Sequence, residues 1–323
     1  MAKKAPKEDN GTGARSAGER IAKVISRAGA ASRRDAERLI ADGRVTLNGT
    51  AVTTPATLVG PEDTIAIDGA PLPARERTRL FLYHKPKGLV VAARDPEGRP
   101  TVQAALDPAL PRLQPVGRLD INTEGLLLLT NDGGLKRVLE LPSTGWVRRY
   151  RVRCHGTVAL ERLEALKNGI TVEGVRYGPV DARLDRVQGA NSWLTLGLRE
   201  GKNREVKNIL AALGLTVTRL IRISYGPFQL GELRRGAVEE VRGRILKDQL
   251  GKKLTEASGA DFEAPLREDP SRKPPSSPAR AEGRPARKPA PAKMPPEPSH
   301  RPPRGKGKPT SSGRPAPRRR DAR

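Results

Sequence analysis

Leu126 to Leu129 are four leucines in a row, preceded by Gly117-Arg118-Leu119-Asp120-Ile121-Asn122-Thr123-Glu124-Gly125 and followed by Thr130-Asn131-Asp132-Gly133. A run that short and that apolar reads as a buried strand, and the turn residues Asn131, Asp132 and Gly133 close it. The carboxylate of Asp120 therefore falls at the mouth of a rigid element, where it is positioned rather than merely solvated. Asp120 is the first candidate for chemistry.

The rest of the chain divides around this feature. Residues 1–18 are small, polar and charged and read as a flexible arm. Ile21, Val24, Ile25 and Ala28 fall at helical spacing up to Gly29, and Ser32 precedes a second helix carrying Ala36, Leu39 and Ile40 up to Gly43. Ser32 and Asp35 make a weak capping box. Asn48-Gly49 and Asp68-Gly69 follow alternating stretches (Val45, Leu47; Ile65, Ile67) and mark two-residue hairpins. Residues 19–68 thus form one small module. Pro71 and Pro73 mark a linker over 69–77, and a larger domain spans 78–248.

In that domain Leu80-Phe81-Leu82-Tyr83 and Leu89-Val90-Val91 read as strands, Leu135, Val138 and Leu139 as a short helix, and Val147 to Val152 as a strand. A helix through Leu160, Leu163 and Leu166 ends at Asn168-Gly169, Trp193 to Leu198 is a strand, and Val206, Ile209, Leu210 and Leu213 form a helical stripe ended by Gly214. Strands with scattered helices, rather than regular alternation, predict an α+β fold built on a mixed, mostly antiparallel sheet.

Charge points to the partner. The 323 residues carry a formal +25, which calls for an anion of high charge density, nucleic acid first. Residues 251–323 hold 19 Lys and Arg against 8 Asp and Glu, and 16 of the 30 prolines. With Phe262 as its only aromatic, such a segment cannot bury enough apolar surface to offset its ordering entropy, so 249–323 is expected to be a disordered basic tail. The tail accounts for +11, so residues 1–250 keep +14 and are basic on their own.

The single Cys154 excludes an internal disulfide, and with His155 it supplies two of the four ligands of a structural zinc site, so no metal is expected and Cys154 reads as a small buried hydrophobe. No apolar run reaches the roughly 20 residues of a membrane helix, and the start lacks a signal-peptide core, so a soluble cytoplasmic setting is expected. Asp120-x-Asn122-x-Glu124-Gly125 is not a calcium loop, since leucines occupy its later ligand positions. Gly11, Gly13 and Gly18 lack dinucleotide spacing, and nothing marks Glu124 as a glycosidase-type partner of Asp120.

Gly117-Arg118-Leu119-Asp120 with Thr123, Gly125 and the leucines resembles the catalytic motif of the RsuA/RluB-type pseudouridine synthases. Lys85-Pro86-Lys87-Gly88, Arg149-Tyr150-Arg151-Val152 and Gly201-Lys202-Asn203-Arg204-Glu205-Val206-Lys207 match three further segments of that family in order and spacing. Residues 19–68 resemble the RNA-binding domain shared with ribosomal protein S-four. The resemblance implies isomerisation of a uridine in structured ribosomal RNA without a cofactor. The large-subunit precursor is the expected target, because the Gly201 to Val206 segment looks closer to the RluB branch. A monomer is expected.

Such a reaction breaks the C1′–N1 bond, turns the freed uracil and joins C5 to C1′. It needs a carboxylate that attacks C1′ or the base, or removes a sugar proton, and a water-poor pocket that keeps the base. Asp120 would be that carboxylate, with the three roles left open. A cation must keep it ionised, and Lys207 stands at the family's basic position. Tyr150, in the family's tyrosine segment, offers a stacking surface and a group able to handle the C5 proton. Arg118, Lys85, Lys87, Lys202, Asn203 and Arg204 are assigned to RNA binding, as are Arg33, Arg34 and Arg44 of the small module. The rival reading is a non-catalytic RNA-binding assembly factor that keeps the fold.

Overall fold

Ser32 and two pairs of turn residues shape the small module. The computed structural model describes residues 18–266. Helix α1 spans Ile21–Arg27 and α2 spans Arg33–Ala41. Ser32 Oγ accepts a hydrogen bond from the Asp35 backbone N–H at 3.0 Å, and its hydroxyl donates to Asp35 Oδ2 at 2.5 Å, so the expected cap is present. Strands β1 (Val45–Leu47) and β2 (Thr50–Ala51) flank Asn48-Gly49, and β3 (Ile65–Ile67) and β4 (Ala70–Pro71) flank Asp68-Gly69. Both residues of each turn have positive φ (52° and 80°; 51° and 77°), the twist-matched geometry that Asn-Gly and Asp-Gly favour. Ile21, Ile25, Ala36, Ile40, Val45 and Ile65 fill the core between helices and sheet.

The larger domain contains β5 (Leu80–Lys85), β6 (Gln114–Val116), β7 (Glu124–Thr130), α3 (Gly133–Glu140), β8 (Arg148–His155), α4 (Leu160–Ala165), β9 (Val180–Gln188), β10 (Asn191–Leu198), α5 (Glu205–Ala212), β11 (Thr216–Tyr225), β12 (Phe228–Gln229), β13 (Val238–Glu240) and α6 (Gly243–Ser258). One sheet runs in the order β9-β10-β8-β11-β7-β5-β13, with β6 beside β7 and β12 beside β11. Its one parallel pairing joins β7 to β11 (Glu124 with Ile221, Gly125 with Arg222). The α+β expectation with a mostly antiparallel mixed sheet therefore holds.

The leucine run is this sheet's spine. Leu126 and Leu128 pack with Leu135 and Leu139 of α3 and Leu246 and Leu250 of α6, while Leu127 and Leu129 face Phe81, Tyr83, Leu113 and Leu119. Apolar matter on both faces is why the run does not alternate. Asp132 does more than turn the chain: its Oδ1 accepts from the Gly134 and Leu135 N–H groups at 2.7 and 3.2 Å, capping α3, and its Oδ2 accepts from Arg75 and the Thr78 hydroxyl. Cys154 lies buried among Val152, Leu194 and Leu215, and burial pushes its thiol up to about 11.

Two expectations are corrected. Leu89 to Val91 form no strand; only Val90 bridges Thr101, because Gly88 (φ 87°) turns the chain toward Ile121 and β13 takes the free edge of β5. The domain also does not stop at 248. Helix α6, broken at Gly251 (φ 64°), buries Leu246 and Leu250 and is followed by Phe262 packed on the same cluster. Four-residue leucine spacing through Leu246, Leu250 and Leu254 is the signal that an average over the tail's composition conceals. The arm and the tail beyond 266 lie outside the described residues. Among the described residues no helix is long and apolar enough to cross a membrane.

Candidate active site

Asp120 sits in the loop between β6 and β7, and that loop is held from below by a buried cation. Lys85 ends β5 opposite Gly125, is 0 % exposed, and donates from Nζ to the carbonyl oxygens of Pro86 (3.0 Å), Asp120 (3.2 Å), Ile121 (3.3 Å) and Thr123 (3.0 Å). Three of those carbonyls belong to the Asp120 loop. Thr123 N–H donates to the Asp120 carbonyl and Gly88 N–H to that of Ile121, while Glu140 Oε1 accepts from Gly117 N–H at 2.7 Å. The assignment of Lys85 to RNA binding is therefore corrected: its buried ammonium is already taken up by four main-chain carbonyls, and it fixes the backbone that presents Asp120.

Burial pushes the Lys85 ammonium down to about 8, against the opposing pull of Asp120 and Glu124. The side-chain ¹³C signal of Lys85 should accordingly titrate near that value in the folded protein, below the roughly 10.4 of ordinary lysines. Because the folded value lies below the unfolded one, the desolvation penalty is fully present below pH 8 and is relieved as pH rises toward the unfolded value. A neutral amine has only two N–H donors for four carbonyls, so turnover should fall over the same window. A Lys85 resonance titrating with the bulk lysines would refute this.

Above the loop, Lys207 Nζ lies 3.0 Å from Asp120 Oδ2, with side-chain exposures of 19 % and 40 %. Helix α5 buries Val206, Ile209 and Leu210, which leaves Lys207 at the edge of the stripe with its head toward the loop. The pair opens into a cavity of about 930 Å³ lined by Arg118, Asp120, Tyr150, Lys207, Arg148 and Arg222 among others. Tyr150, half-buried on β8, pairs in register with Leu196 on one side and Arg222 on the other, next to a bulge at Arg149/Tyr150. The structure thus brings Asp120, Tyr150 and Lys207, which are far apart in sequence, to one cavity.

Arg118, Lys202, Asn203 and Arg204 also line it and are exposed. Arg204 starts α5 in left-handed backbone (φ 50°), a conformation that costs a non-glycine residue about 1 kcal/mol or more. Lys202 is engaged by Glu200 Oε2 (2.7 Å) and the Arg176 carbonyl (2.6 Å). Lys87 does not line the cavity; it lies 3.7 Å from Glu124. Arg33 and Arg34 are exposed on α2, and Arg44 is held by both carboxylate oxygens of Asp68.

Sequence reading missed the strand β11 and the cations it carries. Arg219 donates to both oxygens of the 3 % exposed Glu124, which Arg235 also approaches at 3.3 Å; these cations hold the Glu124 carboxyl below its usual range although burial opposes them. Arg222 and Arg148 lie at 5.1 and 4.8 Å from the Tyr225 ring centroid. The available signal was Leu220-Ile221-Arg222-Ile223-Ser224-Tyr225 running into Gly226-Pro227, an apolar strand pattern with an arginine at an inward position.

Comparison with known proteins agrees with this geometry. Residues 79–212 match the family model described as RNA pseudouridylate synthase, and residues 19–65 match the S4 domain. A Rickettsia felis protein named as an uncharacterized RNA pseudouridine synthase is 43 % identical over 229 residues, covering 71 % of this chain and 99 % of that one. The ribosomal large subunit pseudouridine synthase B of Pseudomonas aeruginosa is 40 % identical over 266 residues, covering 76 % of this chain and 66 % of that one. A crystal structure of a pseudouridylate synthase superposes with a TM-score of 0.51 at 28 % identity, covering 71 % of this chain and 99 % of that one. A relative matched over nearly its whole length at such identity leaves one conclusion: the chain belongs to the RNA pseudouridine synthases, of the RsuA/RluB type, with an S4 domain ahead of the catalytic domain.

Proposed function

We propose that the protein isomerises one uridine of large-subunit ribosomal RNA, with Asp120 as the reacting carboxylate. The observation that carries this is the Asp120–Lys207 pair at 3.0 Å in a cavity that also presents Tyr150. The ammonium sets a positive charge beside the carboxylate on which attack on C1′ or on the base, or removal of a sugar proton, depends. Tyr150 offers its ring to the flipped base, whose rotation needs the room that about 930 Å³ provides. Isomerisation moves no electrons to an acceptor and transfers no group, so no cofactor is required.

Binding is divided between the two domains. Exposed Arg33 and Arg34 on the small module meet phosphates of a structured RNA, while Arg118, Asn203 and Arg204 contact the backbone around the flipped nucleotide. Substrate choice follows the name of the Pseudomonas aeruginosa relative and the Gly201 to Val206 segment.

Nucleotide-resolution pseudouridine mapping of ribosomal RNA tests this, in cells lacking the protein and complemented with wild type or Asp120→Asn. One large-subunit position should lose its pseudouridine and regain it only with wild type. Restoration by Asp120→Asn would remove Asp120 from the chemistry, and a change confined to small-subunit RNA would overturn the target.

A further inference from the structure

Several cations lie in or beside the cavity, and those packed into the protein are matched by partners in all but one case. Lys207 faces Asp120, Lys85 holds four carbonyls, and Arg148 donates to the Arg199 and Glu200 carbonyls and to the Tyr225 hydroxyl. Arg219, three residues earlier on β11, is neutralised by Glu124. Arg222 differs. It is 2 % exposed, its Nε donates to the Leu126 carbonyl at 2.7 Å, its buried Nη2 has no hydrogen-bond partner, and among the described residues it forms no ion pair. Its other contacts are that carbonyl and the Tyr225 ring, 5.1 Å from the guanidinium carbon, so one buried N–H-bearing nitrogen is left to be met by an acceptor that arrives with the ligand.

The position of Arg222 identifies that ligand's chemistry. Arg222 pairs across the sheet with Tyr150 on one side and Gly125 on the other, and it is among the residues that line the same cavity as Asp120. Gly125 carries no side chain to screen it. The exposed cations Arg118, Lys202 and Arg204 occupy the positions suited to phosphates, which stay in water, whereas a base stacked on Tyr150 would bring its carbonyl oxygens toward the buried Arg222.

We propose that Arg222 is a catalytic residue that donates hydrogen bonds to the carbonyl oxygens of the flipped uracil and stabilises the negative charge the base carries while detached. This rests on the pseudouridine-forming reading of the site. When the C1′–N1 bond breaks, the electron pair stays with the base, giving a uracil anion shared over N1, O2 and O4. The sugar is balanced by a bond from C1′ to Asp120 or by loss of a sugar proton to it. C5 of the rotated anion then bonds C1′ as Asp120 is released or returns that proton, the C5 proton leaves to a base in the site, and N1 takes up a proton. A preorganised, buried donor acts on the anion and not equally on neutral uridine, which is how it lowers a barrier.

The test compares Arg222→Gln with wild type in single-turnover reactions of the full-length protein, on a ribosomal RNA fragment carrying uridine or 5-fluorouridine at the target. Fluorine makes the detached base more acidic, so its anion needs less help; consumption of the N-glycoside is read because C5 has no proton to release. Arg222→Gln should bind the RNA with unchanged affinity, slow the uridine reaction about 100-fold and slow the 5-fluorouridine reaction only about 10-fold. A wild-type rate, or an equal penalty on both RNAs with weakened binding as for a phosphate contact, overturns the proposal. If Arg222→Gln does not fold by thermal melting, Arg222→Lys carries the same comparison, since it keeps the charge and loses the two-pronged donor. Asp120→Asn is run in parallel: activity there defeats the reading of the site, whereas an inactive Asp120→Asn beside a fully active Arg222→Gln defeats only the role of Arg222.

Discussion

Asp120→Asn should reduce single-turnover pseudouridine formation by on the order of 10⁴-fold or more, the scale seen when the reacting group of an enzyme is removed. Asparagine keeps the shape and can still face Lys207 Nζ, now 3.0 Å from Asp120 Oδ2, so folding should be unaffected. RNA affinity should hold or rise slightly, because one negative charge leaves a basic site. Lys207→Met probes the other half of the pair. It retains the buried stem but leaves Asp120 without its cation, and the expected loss is about 100-fold, with Lys207→Arg recovering part of it. Equal losses for Asp120→Asn and Lys207→Met would mean that the pair works as one unit. Full activity in Asp120→Asn would end the assignment.

Gly125→Ala should both destabilise the protein and disable it. Gly125 lies where β7 meets β11 in parallel, with φ 105°, and a Cβ there would stand 2.3 Å from the Arg222 carbonyl oxygen and 2.6 Å from its nitrogen. Both neighbours are main chain, so no side-chain rotation relieves the overlap. Left-handed strain and overpacking each cost a few kcal/mol at most, and together they give an expected loss of about 3 kcal/mol or more in urea unfolding. Turnover should fall further, by about 100-fold, because parting β7 from β11 moves the Asp120 loop relative to Tyr150, and a shift of about 1 Å at a reacting centre is enough for that. An alanine variant within 0.5 kcal/mol of wild type, an effect ordinary for surface changes of about that size, would show that the two strands are not so closely apposed.

Legibility in the sequence followed the range of the interactions. The Ser32 cap, the two type I′ turns and the leucine strand depend on residues within a few positions of one another, so a local pattern carries them. Helix α6 was lost in the tail because three leucines four apart were averaged with a proline-rich, basic composition. Leu89 to Val91 looked like a strand and is not one, since a strand needs a free edge and β13, about 150 residues away, occupies it.

The motif around Asp120, together with the segments holding Tyr150 and Lys207, was readable as a set because it resembles a family in order and spacing, and the net +25 fixed the sign of the partner. What the chain alone could not show is which basic residue does what. Lys85, Arg219, Arg222 and Lys207 are simply four basic residues in the sequence, yet one is sealed beneath the Asp120 loop, one is neutralised by Glu124, one is buried with a guanidinium nitrogen left unpartnered and one faces Asp120. Those differences are set by burial and by partners 35 to 96 residues distant, and only packing creates either. The free energy of a charge depends on what surrounds it, so a sequence can place a cation on a strand or helix, while the tertiary structure decides whether it is a brace, a counterion or a group held ready for the substrate.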